Sequence, residues 1–131
     1  MVRQIFVNLP VKDLDRSVAF FTGLGFRFNP EFTDSNATSM IVSDDIYVML
    51  LVEPFFKTFI DKPLCDARAA TEAIVCLSLD SREAVDAMVA AAVKGGARLL
   101  REAQDHGFMY AHGFEDLDGH LWELVHMSGK P

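Results

Sequence analysis

The chain repeats itself. Phe6-Val7-Asn8-Leu9-Pro10-Val11-Lys12-Asp13 and Ala73-Ile74-Val75-Cys76-Leu77-Ser78-Leu79-Asp80 share a pattern at an offset of 67 residues. Each is a branched, apolar run that ends at a helix-capping acid. The helical positions beyond the caps match too: Val18 falls on Val85, and Phe21 on Met88. A tandem repeat of this length means two copies of one supersecondary unit. Each copy has a sheet face that its own helix does not cover and that the other should cover.

In the first copy, residues 4–11 read as a strand. Asp13 caps a helix striped by Val18, Phe20, Phe21 and Leu24, and Gly23 and Gly25 stop it. Residues 26–29 alternate as a second strand, residues 33–36 form a turn, and residues 38–42 and 46–52 give two more strands. The second copy runs through a strand over residues 73–79, a helix capped by Asp80 or Ser81, a stop at Gly95-Gly96, and strands over 97–101, 107–114 and 121–127. The fold class is therefore α+β, with two tandem βαβββ modules. Module one covers residues 1–53 and module two 73–131. The connector between them, 54–72, carries aromatics at helical spacing in Pro54-Phe55-Phe56-Lys57-Thr58-Phe59. It reads either as a packed connection or as a lid over a pocket.

Composition closes off several function classes. A net charge of -7 argues against a nucleic-acid backbone or an anionic membrane as partner. Neither cysteine, Cys65 or Cys76, has metal-knuckle spacing, and both read as reduced thiols. Cys76 is expected on the strand face opposite Ala73, towards the helix layer. No apolar stretch reaches the roughly 20 residues of a membrane span, and the N-terminal run is too short for a signal peptide. A cytoplasmic protein is the expectation.

The chemistry concentrates in Asp116-Leu117-Asp118-Gly119-His120-Leu121-Trp122-Glu123-Leu124-Val125. An Asp-x-Asp-Gly turn between two strand-like runs signals a hairpin. Glu123 stands mid-strand among apolar residues, where a carboxylate is costly unless it meets a cation, a partner or water. With the turn at Asp116 to Gly119, pairing sets His112 opposite Glu123 and Tyr110 opposite Val125. A pocket would then be lined by Asn8, Met49, Tyr110, His112 and Glu123, with Phe6, Ala73 and Val75 as its apolar wall. His112 beside Glu123 reads as a general acid/base pair or as a structural ion pair that satisfies a buried acid. A third reading is a two-ligand metal site completed by His106 or Asp105. His126 belongs to the opposite strand face, His120 to the turn, and Trp122 to the packing against a helix.

Three stretches together resemble the vicinal oxygen chelate superfamily, which includes glyoxalase I, bleomycin- and fosfomycin-resistance proteins and extradiol dioxygenases. They are Leu9 through Phe21 (LPVKDLDRSVAFF), Leu24-Gly25-Phe26, and Asp116 through Glu123. The resemblance implies modules joined into a cupped mixed sheet with helices outside, and a homodimer. In metal-dependent members a divalent ion sits in the cup. Of the four implied ligand positions Glu123 alone is retained; the others fall on Phe6, Ala73 and the region of Met49. A divalent metal is therefore possible but disfavoured, and no particular cofactor is indicated. Two readings remain. One is a metal-independent lyase or isomerase acting on a small carbonyl or thiol adduct, with Glu123 as base, His112 as acid, and Tyr110 and Asn8 orienting the substrate. The other is a non-catalytic protein that sequesters a small organic ligand, aromatic or cationic.

Overall fold

In the computed structural model, which describes residues 1–128, the chain forms two compact units: Met1–Leu64, and the residues from Cys65 onward. Residues 129–131, the tail of the expected second module, lie outside the described residues.

The N-terminal unit runs β1 (Ile5–Val11), α1 (Leu14–Gly23), β2 (Arg27–Asn29), a 3-10 turn (Pro30–Phe32), β3 (Ala37–Ser43), β4 (Ile46–Val52) and a short α2 (Glu53–Lys57). Its four strands order β1-β4-β3-β2, with β1 parallel to β4 and the other pairs antiparallel. The Asp13 carboxylate caps α1 by accepting the Arg16 N–H at 3.1 Å. Buried Ser17, Phe20 and Phe21 belong to α1, and the sheet contributes buried Met40, Val48 and Leu50 to the same core.

Alternation and register fix the faces. Val7, Val48, Met40 and Phe28 form one cross-strand row on the core side. One residue along, Phe6, Tyr47, Ile41 and Arg27 line up on the other side, followed by Asn8, Met49, Ser39 and Asn29. α1 leaves this second side open, and Phe6 is 51% exposed.

The C-terminal unit repeats the plan. β5 (Ile74–Ser78), α3 (Arg82–Lys94), β6 (Arg98–Leu99), β7 (Gln104–Asp105), β8 (Met109–Glu115) and β9 (Leu121–Met127) form a sheet ordered β5-β9-β8-β6, with β7 also pairing to β8. The expected strand over 97–101 is thus cut to Arg98–Leu99, and Gln104–Asp105 takes the next stretch of the same β8 edge. Val85, Val89 and Ala92 of α3 are buried, as are Phe114, Trp122 and Leu124 of the sheet. Phe114 and Trp122 stack across β8 and β9 with centroids 6.4 Å apart.

The repeat offset is 68, one more than the sequence pattern suggested. Ser81 caps α3, with its hydroxyl accepting the Ala84 N–H at 3.0 Å, so Asp13 is matched by Ser81 and not by Asp80. At this offset buried Ser17, Phe21 and Leu24 coincide with buried Val85, Val89 and Ala92.

Candidate functional site

The open side of the N-terminal sheet is concave, with a cavity of about 420 Å³. Its wall takes Phe6 and Tyr47 from the first of the two rows just described and all four residues of the second. Phe6 and Tyr47 stack with ring centroids 5.0 Å apart and planes within 12° of parallel, giving a two-ring aromatic stack. Beside it runs a row of neutral polar groups, Asn8, Ser39 and Asn29, interrupted by Met49; Gln4 and Phe32 close the ends. Ser39 is 2% exposed, so its place in the wall is deep. Of the expected ligand-binding residues, Phe6, Asn8 and Met49 are brought together here.

Sequence reasoning missed Tyr47, Ser39 and Asn29. Tyr47 stands two residues before Met49 on one strand, so alternation alone places it on the same face. Ser39 and Asn29 needed the β3–β4 and β2–β3 registers, which the loops set and the apolar pattern does not.

In the C-terminal unit the register differs from the expected one by a single residue, which moves every side chain to the other face. Glu123 pairs with Gly113, His112 with Leu124, and Tyr110 with His126. His112 and Tyr110 therefore lie on the α3 side of the sheet and Glu123 on the opposite side, so the acid/base pair of His112 and Glu123 does not form. The cause is the turn. Asp116 accepts hydrogen bonds from the N–H groups of Asp118 (2.9 Å) and His120 (3.0 Å) and from Trp122 Nε1 (2.9 Å). His120 is thereby held in the loop, which runs from Asp116 to His120 and is closed by the Glu115–Leu121 pair. Burial pushes the Asp116 carboxyl above the usual carboxylate range, against the opposing pull of His120 and these hydrogen bonds. Gly119 is needed here: its φ is +92°, and a Cβ would stand 2.7 Å from the Arg68 backbone nitrogen.

The side of the sheet that carries Glu123 holds Cys76, its direct partner on β5, and Gly113. Cys76 thus points away from α3, contrary to expectation. Ala73 precedes the strand and Val75 pairs with Trp122 on the core side, so neither forms a wall beside Glu123; Ile74 and Cys76 take those places. Glu123 Oε2 meets Arg101 Nη2 at 3.5 Å. Burial pushes the Cys76 thiol up, and the Glu123 carboxylate adds to this.

These neighbours test the divalent ion implied by the resemblance. A guanidinium already stands where a cation would sit beside Glu123. Among the described residues no group of three or more His, Cys, Asp or Glu converges to hold a metal. The donors at Glu123 do not fit the ion.

The residues displaced from the expected pocket form a cluster of their own against α3. Tyr110 donates its hydroxyl hydrogen to Asp86 at 2.5 Å, which pushes the phenol up. Arg82 lies over the Tyr110 ring, 5.2 Å from its centroid, and grips Asp105 with two nitrogens at 2.6 and 3.0 Å. That grip holds the Asp105 carboxyl below the usual range. His112 Nδ1 stands 3.8 Å from Asp86, buried and without a hydrogen-bond partner. His126 Nδ1 is 3.0 Å from the Leu79 carbonyl oxygen.

Two βαβββ units, each with a helix on one sheet face and the other face open, define the class: an α+β protein of paired modules with its pocket-forming surface on the strands. The fold is that of the vicinal oxygen chelate superfamily. Residues 3–43 match the family model described as bleomycin resistance protein-like N-terminal. Among solved structures, the hypothetical protein SA1046 from S. aureus superposes with a TM-score of 0.80 at 26% identity, covering 95% of this chain and 94% of that one. A glyoxalase/bleomycin resistance protein/dioxygenase family enzyme from Burkholderia phytofirmans PsJN gives a TM-score of 0.77 at 16% identity, covering 93% and 96%. The fosfomycin resistance protein FosX from Mesorhizobium loti gives 0.70 at 18%, covering 98% and 95%. None of the curated proteins matches the chain.

Proposed function

We propose that this is a non-catalytic, small-molecule binding protein of the glyoxalase/bleomycin resistance type, which holds its ligand on the open face of the N-terminal sheet. The observation that carries the reading is the 420 Å³ concavity. Its volume lies in the range of organic-ligand sites, and an aromatic platform beside a few polar groups is what orients such a ligand. Among the described residues its wall offers no carboxylate, imidazole or thiol. The one titratable group there is the Tyr47 phenol, which donates to the Asp44 carbonyl at 2.7 Å. The enzyme reading rested on His112 working with Glu123, and these lie on opposite sides of their sheet. Likeness of residues 3–43 to a bleomycin resistance-like model supports sequestration over turnover. A homodimer in the cytoplasm completes the proposal. No helix among the described residues is long and apolar enough to cross a membrane.

The test is a fragment screen by chemical-shift perturbation on the intact chain, with Phe6→Ala alongside. Phe6 is exposed, so its removal spares the core. Hits that shift Phe6, Asn8 and Met49 and vanish in Phe6→Ala support the proposal. Turnover of a methylglyoxal–thiol adduct that Glu123→Gln abolishes would overturn it.

A further inference from the structure

The same wall also constrains the ligand's chemistry, an inference that rests on the proposed binding role. Three features of the concavity bear on it. The first is flatness: Phe6 and Tyr47 are stacked with 12° between their planes, and the half-exposed Phe6 ring keeps an uncovered side on which a third flat ring extends the stack.

The second is polarity. The Asn8 side-chain amide donates to the Phe6 carbonyl at 3.2 Å, which leaves its oxygen to accept from a ligand. Asn29 does the reverse: its oxygen takes the Glu31 N–H at 3.0 Å, leaving its amino group to donate. The two asparagines stand at opposite ends of the row Asn8–Met49–Ser39–Asn29. Three strand spacings separate their backbones, about 14 Å. A ligand that meets both must be longer than a single ring, with an acceptor towards Asn29 and a donor towards Asn8.

The third is charge. Among the described residues, no carboxylate, ammonium or guanidinium lines the concavity. Arg27 ends the aromatic row on the sheet, but it is exposed and outside the lining. An exposed guanidinium is worth little to an anion and repels a cation. A charged ligand would shed water here without gaining a counter-charge.

We infer that the ligand is an uncharged, flat molecule of about two fused rings, with a hydrogen-bond donor and an acceptor on separate edges. This keeps the aromatic ligand expected from the sequence and departs from its cationic alternative.

The experiment uses four probes on one scaffold: 6-hydroxy-2-quinolinone, whose 6-hydroxyl donor and 2-carbonyl acceptor lie on opposite edges, its saturated analogue 6-hydroxy-octahydro-2-quinolinone, quinoline-2-carboxylate and N-methylquinolinium. Binding to the full chain is read by chemical-shift perturbation, and the same titrations are run on Asn8→Asp, an exposed substitution that sets one carboxylate in the wall. The expected result is 6-hydroxy-2-quinolinone binding at least about ten-fold tighter than either charged probe and the saturated one, with shifts at Phe6, Asn8 and Asn29. In Asn8→Asp, N-methylquinolinium should overtake it. If a charged probe matches or exceeds 6-hydroxy-2-quinolinone in the unaltered chain, the ligand class is wrong while the binding face stands. If no probe shifts these residues, both the class and the binding role proposed for this face fall.

Discussion

Replacing Asp116 with alanine tests whether this side chain sets the C-terminal register. Asp116 is 7% exposed and accepts from one fully buried donor, Trp122 Nε1, and from the N–H groups of Asp118 and His120. Stranding a buried donor costs about 1–3 kcal/mol, and each part-buried backbone bond is worth about 0.5–1.5 kcal/mol. Some of that loss is offset, because the buried charge itself is disfavoured and alanine removes it. The net destabilisation is then about 3 kcal/mol, a large share of the ~5–15 kcal/mol that holds a typical domain. At this chain length the melting temperature should fall by about 10 °C. Urea titration followed by the fluorescence of Trp122, the only tryptophan, reads the change at the site itself. Asp116→Asn keeps one acceptor oxygen and should cost about half as much. A loss below about 1 kcal/mol in Asp116→Ala would refute the idea that this side chain organises the hairpin.

The same pair of variants gives a pH signature. The folded Asp116 carboxyl sits above its ordinary value of 3.8, so the folded state binds this proton more readily than the unfolded chain. Its contribution is therefore fully present below the unfolded value and is lost as pH rises through the raised folded one. The stability of the unaltered protein relative to Asp116→Asn should be largest below about pH 4 and shrink towards neutrality. An opposite slope would mean that the hydrogen bonds outweigh burial.

Gly113→Ala should destabilise by about 1–3 kcal/mol in the same urea assay, since the new Cβ would lie 2.6 Å from the Trp122 carbonyl oxygen; a neutral result would show that β8 and β9 are free to part there. Glu123→Gln should speed iodoacetamide labelling of Cys76 only a few-fold, because burial, the larger cause of its raised thiol, remains. Peptide mass spectrometry measures this, and an unchanged rate would separate the two side chains. Arg82→Gln should hasten hydrogen exchange at His106 and Gly107 with little change in melting temperature, because the Arg82–Asp105 pair is exposed but anchors β7. Unchanged exchange would mean that β7 is held by its strand pairing alone.

What the sequence made legible is what apolar periodicity and capping residues encode. Asp13, the Gly95-Gly96 stop and the branched runs at 5–11, 46–52 and 121–127 all report local preferences, and they name the elements and their order. The tandem pattern adds the second copy of the unit, and alternation on β1 puts Phe6 and Asn8 on one face. Registers are another matter. They depend on how a loop distributes its hydrogen bonds, and Asp116-Leu117-Asp118-Gly119-His120 closes equally well on paper after four residues or five. Only the buried Trp122 indole, reaching back to the Asp116 carboxylate, selects five. That one residue separates His112 from Glu123 and brings Cys76 beside Glu123. Likewise the choice between Asp80 and Ser81 as cap decides whether the repeat offset is 67 or 68.

Glu123 marks the limit of legibility. Charge burial dictates that a mid-strand carboxylate must have company, and Glu123 does have it. Which company is a tertiary matter. Arg101 lies 22 positions upstream, past the end of the short β6, where no periodicity predicts its reach. Once the guanidinium is there, Glu123 no longer needs a metal or a histidine to justify its place. A general base must reach a substrate proton with a free oxygen, and a carboxylate drawn towards a structural cation is not aimed at one. The proposed binding role therefore rests not on the one conspicuous acid but on the neutral wall of the other unit, where Tyr47, Ser39 and Asn29 carry no charge and yet line the concavity.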